Sequence, residues 1–196
     1  MTDNLRTQEN LPQLIGLAGM FGAGKNTLAD YLVDNFGYNF VSTSDMLREI
    51  SMREYGSIDR PYLQKTSLEQ KKARGGGVLV LESLNKPRPL IISDLRSLGE
   101  AKEIKKAGGV LVFVDADQRV RYDRIVKRQR DGESGRSFDE FVAGEKVELK
   151  SGDSDADFNL LGIRDMADVL LMNNGTPEEF VAAAIEKITV KNTRVT

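Results

Sequence analysis

The stretch Gly19-Met-Phe-Gly-Ala-Gly24-Lys25-Asn26-Thr27 decides how this chain is to be read. Upstream runs Gln13-Leu-Ile-Gly-Leu-Ala18, short and apolar like a buried strand, and downstream residues 27–36 have the pattern of an amphipathic helix. A glycine cluster between strand and helix is the setting of a phosphate-binding loop, or P-loop. Glycines let successive N–H groups turn inward around phosphate oxygens, and the helix N-terminus adds partial positive charge. The nucleotide-binding candidates are Gly19, Gly22, Ala23, Gly24, Lys25, Asn26 and Thr27, with Lys25 expected to bridge the terminal phosphates of ATP. The position after the lysine, where Ser or Thr normally binds Mg²⁺, holds Asn26, so Thr27, one residue later, is the candidate metal ligand.

Outward from this loop the chain alternates. Strands are expected at residues 38–41, 90–94, 109–115 and 167–172, and helices at 45–54, 61–74, 99–107, 138–150 and from Thr176 onward. Ser42 to Ser44 can cap the second helix, Asp117 can cap a basic helix after the fourth strand, and residues 75–85 read as helix or as mixed structure. Residues 131–137 form a polar excursion and 151–157 an acidic loop. Short apolar strands alternating with helices imply an α/β fold of three layers, the P-loop NTPase fold, with a five-stranded parallel sheet, helices on both faces and a short lid.

The 196 residues are 40% hydrophobic and 30% charged, as in a globular protein, and no apolar run is long enough to cross a bilayer. Without cysteine, disulfides and thiolate chemistry are excluded; without histidine, so are imidazole triads and imidazole–metal sites. Carboxylates, Lys, Arg, hydroxyls and backbone N–H groups remain, a set that suits phosphoryl transfer. The net charge of −2 gives no general attraction to nucleic acid, and a cytoplasmic protein with no membrane partner is expected.

Two segments carry a resemblance. Residues 22–27, G-A-G-K-N-T, resemble the G-A-G-K-G-T of adenylate kinases, and Val41-Ser-Thr-Ser-Asp-Met-Leu-Arg48 resembles their S-T-G-D-M-L-R element, with Ser44 in place of its glycine. The resemblance implies a nucleoside monophosphate kinase in which Thr43 and Arg48 contact the acceptor. Asp45 and Arg48, three apart on one helix, can face one cleft, or can simply pair with each other at the surface. Adenylate kinases also have an Asp at the end of the third strand and an Arg shortly after, which points to Asp94 for Mg²⁺, directly or through water, and to Arg96 for substrate. The alternative for Asp94 is a cap of the following helix.

Arg121, Arg124 and Arg128 share one face of the basic helix. Either they are a solvated face balanced by Asp117, Asp123 and Asp131, or they resemble the lid arginines of monophosphate kinases, with Arg124, Arg128 and Arg136 acting on the transferring phosphoryl group beside Lys25 and Asp94. Asn174 and Gly175, after the fifth strand, form a helix cap and turn or, as the resemblance implies, a loop near the adenine. The expected organisation is a kinase domain over residues 13–190, with acceptor-binding helices at about 43–86, a lid at about 128–150, and tails at 1–12 and 191–196. The reading is ATP- and Mg²⁺-dependent transfer to a small phosphorylated acceptor, a nucleoside or deoxynucleoside monophosphate. A dephospho-coenzyme A kinase-like enzyme, with Asp45 as base, and a P-loop regulatory protein with slow ATP hydrolysis are the alternatives.

Overall fold

The structure, a computed structural model, describes residues 10–128, 137–152 and 154–193. Five strands, β1 (Leu14–Gly19), β2 (Asn39–Ser42), β3 (Leu90–Leu95), β4 (Val110–Asp115) and β5 (Val169–Met172), form one parallel sheet in the order β2-β3-β1-β4-β5. Every residue of β1 is buried, which is why the strand reads as an unbroken apolar run: helices cover both of its faces.

The crossovers set the layers. From β1 the chain passes through α1 (Lys25–Phe36) to β2, and from β3 it passes through α5 (Leu98–Lys106) to β4 in the opposite direction. Right-handed connections running in opposite directions put α1 and α5 on opposite faces. Beside α1 packs α9 (Pro177–Thr193), and beside α5 packs α8 (Leu160–Met166). Gly16 lets α5 approach the sheet, because a Cβ there would stand 2.7 Å from Ile104 Cγ1.

Between β2 and β3 lie α2 (Thr43–Tyr55), α3 (Arg60–Arg74) and α4 (Val78–Ser83); between β4 and β5 lie α6 (Gln118–Arg128), α7 (Phe138–Leu149) and α8. The strands lie within two residues of their expected positions. Residues 75–85, which read as helix or mixed structure, contain α4, while α8 matches no element expected from the sequence. With seven residues, α8 is too short to show a helical period; it starts where the Asn159 side chain accepts from Gly162 N at 2.8 Å. Asp117 opens α6 through its backbone carbonyl, which accepts from Arg121 N at 3.0 Å, and not through its carboxylate. No helix among the described residues is long and apolar enough to cross a membrane.

Asp168 fastens the far edge of the sheet. Its carboxylate accepts from Leu111 N at 3.0 Å and pairs with Lys105 at 2.6 Å and Lys191 at 3.2 Å, joining β4, α5 and α9 at the start of β5. Burial alone would raise its pKa, but these donors outweigh burial and lower it. A carboxyl with a depressed folded-state pKa stabilises the protein fully above its unfolded pKa of about 3.9, and that contribution is lost as pH falls through the folded value. Asp168→Asn is expected to cost on the order of 1–2 kcal/mol at neutral pH. Urea midpoints should show that difference narrowing in strong acid; an equal difference at pH 7 and pH 2 would refute the assignment.

Candidate functional site

β1 ends at Gly19, where the chain leaves the sheet with φ +147. A Cβ there would fall 2.1 Å from Val114 O, so no other residue fits against β4 at this point. The loop then turns on its own backbone, with Met20 N donating to Val114 O at 3.0 Å and Ala23 N to Met20 O at 3.2 Å. Gly24, left-handed with φ +96, caps α1 without any side-chain hydrogen bond to the helix N-terminus. The first-turn N–H groups are therefore open to an anion. Lys25 folds back over the loop, and its ammonium donates to Gly19 O at 3.1 Å and Met20 O at 3.2 Å. Asn26 and Thr27 are exposed on the first turn of α1.

Three side chains fix this loop from outside. Asn173, buried just after β5, donates from Nδ2 to Ala23 O at 2.8 Å and accepts at Oδ1 from Arg124 Nη2 at 3.3 Å. A Cβ at Gly24 would meet Asn173 Nδ2 at 2.3 Å, so glycine and asparagine are matched. Arg121 donates to Phe21 O at 3.3 Å and Ala116 O at 2.9 Å. Arg128 stacks its guanidinium 5.5 Å above the Phe21 ring.

The arginine face thus divides its labour. Arg121 is buried, paired with Glu145 on α7 and 3.4 Å from Asp115, and it is a strut of the loop. Burial lowers its pKa, opposed by Asp115, yet a guanidinium keeps its charge in any such setting. Arg124 and Arg128 face the loop, and Arg124 Nη1 is buried without a hydrogen-bond partner among the described residues. That orphaned donor beside an open helix N-terminus fits a bound phosphate. Arg136 lies outside the described residues. Tyr122, Phe138 and Phe141 pack α7 on α6, with ring centroids 5.3 to 6.4 Å apart.

Across the crevice between β1 and β3 stands Asp94. The register runs from Leu17↔Ser93 to Ala18↔Leu95, so Asp94 is skipped by the ladder, and its φ of +65 turns it out of the strand. Its carboxylate accepts from Ser42 Oγ at 2.8 Å, and Thr43 Oγ1 donates to Ser93 O and Asp94 O at 3.2 and 3.0 Å. Asp94 does not cap α5, where Glu100 instead accepts from Ser97 N at 3.0 Å.

Beside Asp94 opens a cavity of about 150 Å³ between α2, α3 and β3. Thr43, Ser44 and Arg48 from α2 line it, with Arg96 after β3. Asp45 is not in its wall; it pairs with Arg48 from outside, so the expectation that both residues face one cleft holds for Arg48 alone. Sequence reasoning missed Arg60 and Lys71 on α3 and Phe158 in the loop before α8, all of which line the cavity. It also passed over Asn173 in favour of its neighbour. Asn174 accepts from Asp117 N at 2.8 Å and Gly175 is exposed beside Glu179, while Asn173 touches the P-loop. The available signal was position, since the first polar residue after an apolar strand sits at the carboxyl edge of the sheet.

The family profile described as AAA domain matches residues 15–147, and the UPF0200 protein of Staphylothermus marinus (strain ATCC 43588 / DSM 3639 / JCM 9404 / F1) is 30% identical over 189 residues, covering 92% of this chain and 95% of that protein. This chain belongs to the AAA domain family and to the UPF0200 proteins. Within the AAA domain its fold is P-loop kinase-like. Shikimate kinase from Bacteroides thetaiotaomicron superposes with a TM-score of 0.61 at 14% identity, over 91% of this chain and 97% of that one, a likeness of fold. Adenylate kinase from Lactococcus lactis subsp. cremoris (strain MG1363) is 34% identical over 62 residues, 31% of this chain and 29% of that protein.

The buried Arg121–Glu145 pair of this AAA domain is expected to behave asymmetrically. Glu145→Ala leaves a buried guanidinium uncompensated and should cost about 3–5 kcal/mol in urea unfolding, while Arg121→Met combined with Glu145→Leu should recover most of that loss. A Glu145→Ala protein of wild-type stability would show that the pair does not hold α7 on α6.

Proposed function

We propose that this protein is an ATP-dependent phosphotransferase that moves the terminal phosphoryl group of ATP to a small phosphorylated acceptor, a nucleoside or deoxynucleoside monophosphate. The observation that carries this reading is the cationic cavity beside Asp94, whose wall includes Arg48, Arg60, Lys71 and Arg96, at the end of the strand that neighbours β1. Four cations against the carboxylates Asp94 and Glu100 suit an acceptor that arrives with its own negative charge.

The P-loop, from Gly19 to Thr27, would hold the triphosphate, with Lys25 exchanging its two carbonyl partners for phosphate oxygens. Thr27 and Asp94 would hold Mg²⁺, directly or through water, and that ion supplies charge neutralisation on the phosphate oxygens. Among the described residues no cluster of three or more carboxylates could hold a metal alone, which fits an ion shared with phosphates. Arg124, through its spare Nη1, and Arg128 would meet charge building on the transferring group. An acceptor phosphate oxygen bonds to the γ-phosphorus as the bond to ADP breaks. The attacking oxygen is already anionic, so no base is needed.

In this proposal residues 13–190 act as one kinase domain, the helices within 43–86 hold the acceptor, and the lid falls at 128–150. Its described part, α7, would close together with α6, to which Glu145 and Phe141 hold it. Asn174 and Gly175 would border the adenine. The dephospho-coenzyme A kinase-like alternative needs a carboxylate base on a hydroxyl acceptor. Asp45, the candidate, is outside the cavity and paired with Arg48, which favours the phosphorylated acceptor.

The test is a panel of monophosphates and dephospho-coenzyme A incubated with ATP and Mg²⁺. Lys25→Ala is expected to lower turnover by about a hundredfold or more, and Arg48→Ala to raise the acceptor KM roughly tenfold or more with ATP affinity little changed. Absence of ATP binding by the folded protein, or ATP hydrolysis with no transfer to any acceptor, would overturn the proposal.

A further inference from the structure

One wall of the cavity offers more than charge for an acceptor phosphate. Arg60, Gln64, Ser67 and Lys71 line it from α3 at spacings of four, three and four, and so form a single row about 16 Å long on the helix surface. The row runs from the exposed Arg60 and Gln64 inward to the buried Ser67 and Lys71, and a buried helix position is ordinarily apolar. Here it carries polar groups, and those of Arg60, Gln64 and Ser67 make no hydrogen bond or ion pair among the described residues. The inner end of the α3 row thus offers Ser67 and Lys71 to the cavity.

Lys71 is its innermost member, 5% exposed. One of its three N–H groups goes to Ala156 O at 3.1 Å, and Glu100 Oε1 stands at 3.8 Å, beyond hydrogen-bond length. The other Glu100 oxygen already accepts from Arg96 N at 2.7 Å and Ser97 N at 3.0 Å. Glu100 therefore balances the charge of Lys71 without satisfying its donors, and a buried donor without an acceptor is costly to keep unless a ligand supplies one. Next to it lies Phe158, whose ring centroid is 5.7 Å from Lys71 Nζ and 5.6 Å from the Arg96 guanidinium, with Leu47 and Leu63 completing an apolar surface in the same cavity.

We infer that this end of the cavity reads the ring of the acceptor: a planar heterocycle rests against Phe158 and Leu63, and its oxo oxygen accepts from Lys71, which selects uracil-, thymine- or guanine-type monophosphates over adenine. The inference rests on the proposed function, since it takes a monophosphate in this cavity. Adenine presents an exocyclic amino donor where these bases present oxygen. A donor facing an ammonium leaves both without an acceptor, and sites of this kind discriminate strongly against the mismatched ligand.

The experiment measures kcat/KM with ATP and Mg²⁺ for UMP, dTMP, GMP and AMP, and separately the binding of each monophosphate by calorimetry without ATP. The oxo-bases are expected to lead AMP by about tenfold to a hundredfold in kcat/KM. Lys71→Met should erase that lead by lowering kcat/KM for the oxo-bases towards the value for AMP, with ATP affinity held within about twofold. Should Lys71→Met fail to fold, Ser67→Ala and Gln64→Leu, whose polar groups have no partner in the protein, carry the test: both should weaken binding of the oxo-bases at unchanged Tm. If AMP is used as well as the others, or if Lys71→Met keeps the preference, the inference fails and the kinase reading stands. If no monophosphate is bound or phosphorylated, both fail.

Discussion

A loop that holds phosphate with its main chain must keep its inward N–H groups unpaired, and so must be fixed from its outer side. That constraint organises this structure. The outer carbonyls of Phe21 and Ala23 are taken by Arg121 and Asn173, and Met20 N is tied to Val114 O. Each brace comes from a different element, α6, the loop after β5, and β4, so the shape of the loop depends on the assembled sheet. Arg121 in turn is a buried cation that needs Glu145 of α7. The chain of dependence therefore runs from α7 through α6 to Phe21, and the helices after β4 matter to the loop before any ligand enters.

Sheet order places the second half of the site. β1 and β3 are neighbours whose following helices leave to opposite faces, which opens a crevice at their carboxyl ends. The P-loop forms one lip, and Asp94, bulged out of the ladder at positive φ, forms the other. A non-glycine residue in that conformation is uncommon. Ser42 and Thr43 hold it there by bonding its carboxylate and its backbone carbonyl, so the first turn of α2 and the end of β3 are a single unit.

The fold was largely legible because its signals are local. Buried parallel strands are apolar runs, and the glycines from Gly19 to Gly24 sit between one such run and a helical pattern. The cavity was less legible because its residues meet only in three dimensions. Lys71 looks in sequence like one more cation of the last turn of α3, beside Lys72 and Arg74, and nothing local says that it is buried. Phe158 lies in an acidic loop that is far along the chain, and a bridge to Ser97 brings it to the cavity. Asn173 and Asn174 are indistinguishable by type, and only the direction of the chain leaving β5 decides which one turns toward Ala23.

Several contacts of the cations around the crevice exchange cheaply. Among them are those of Lys25 to two neutral carbonyls, of Arg128 to an aromatic face, and of Arg48 to an exposed carboxylate one turn away. Such contacts are worth about 1 kcal/mol or less each, so a phosphate that replaces them gains charge-assisted hydrogen bonds at little expense. Arg121, locked to Glu145, cannot be recruited in that way, and its role is to fix Phe21. Arg124 stands between the two cases, with one nitrogen on Asn173 and the other buried without a hydrogen-bond partner among the described residues. Because Asn173 also holds Ala23, any ligand that draws Arg124 inward pulls on the same asparagine that sets the shape of the P-loop. The arginine that would meet the transferring group and the loop that would hold its donor are therefore mechanically joined.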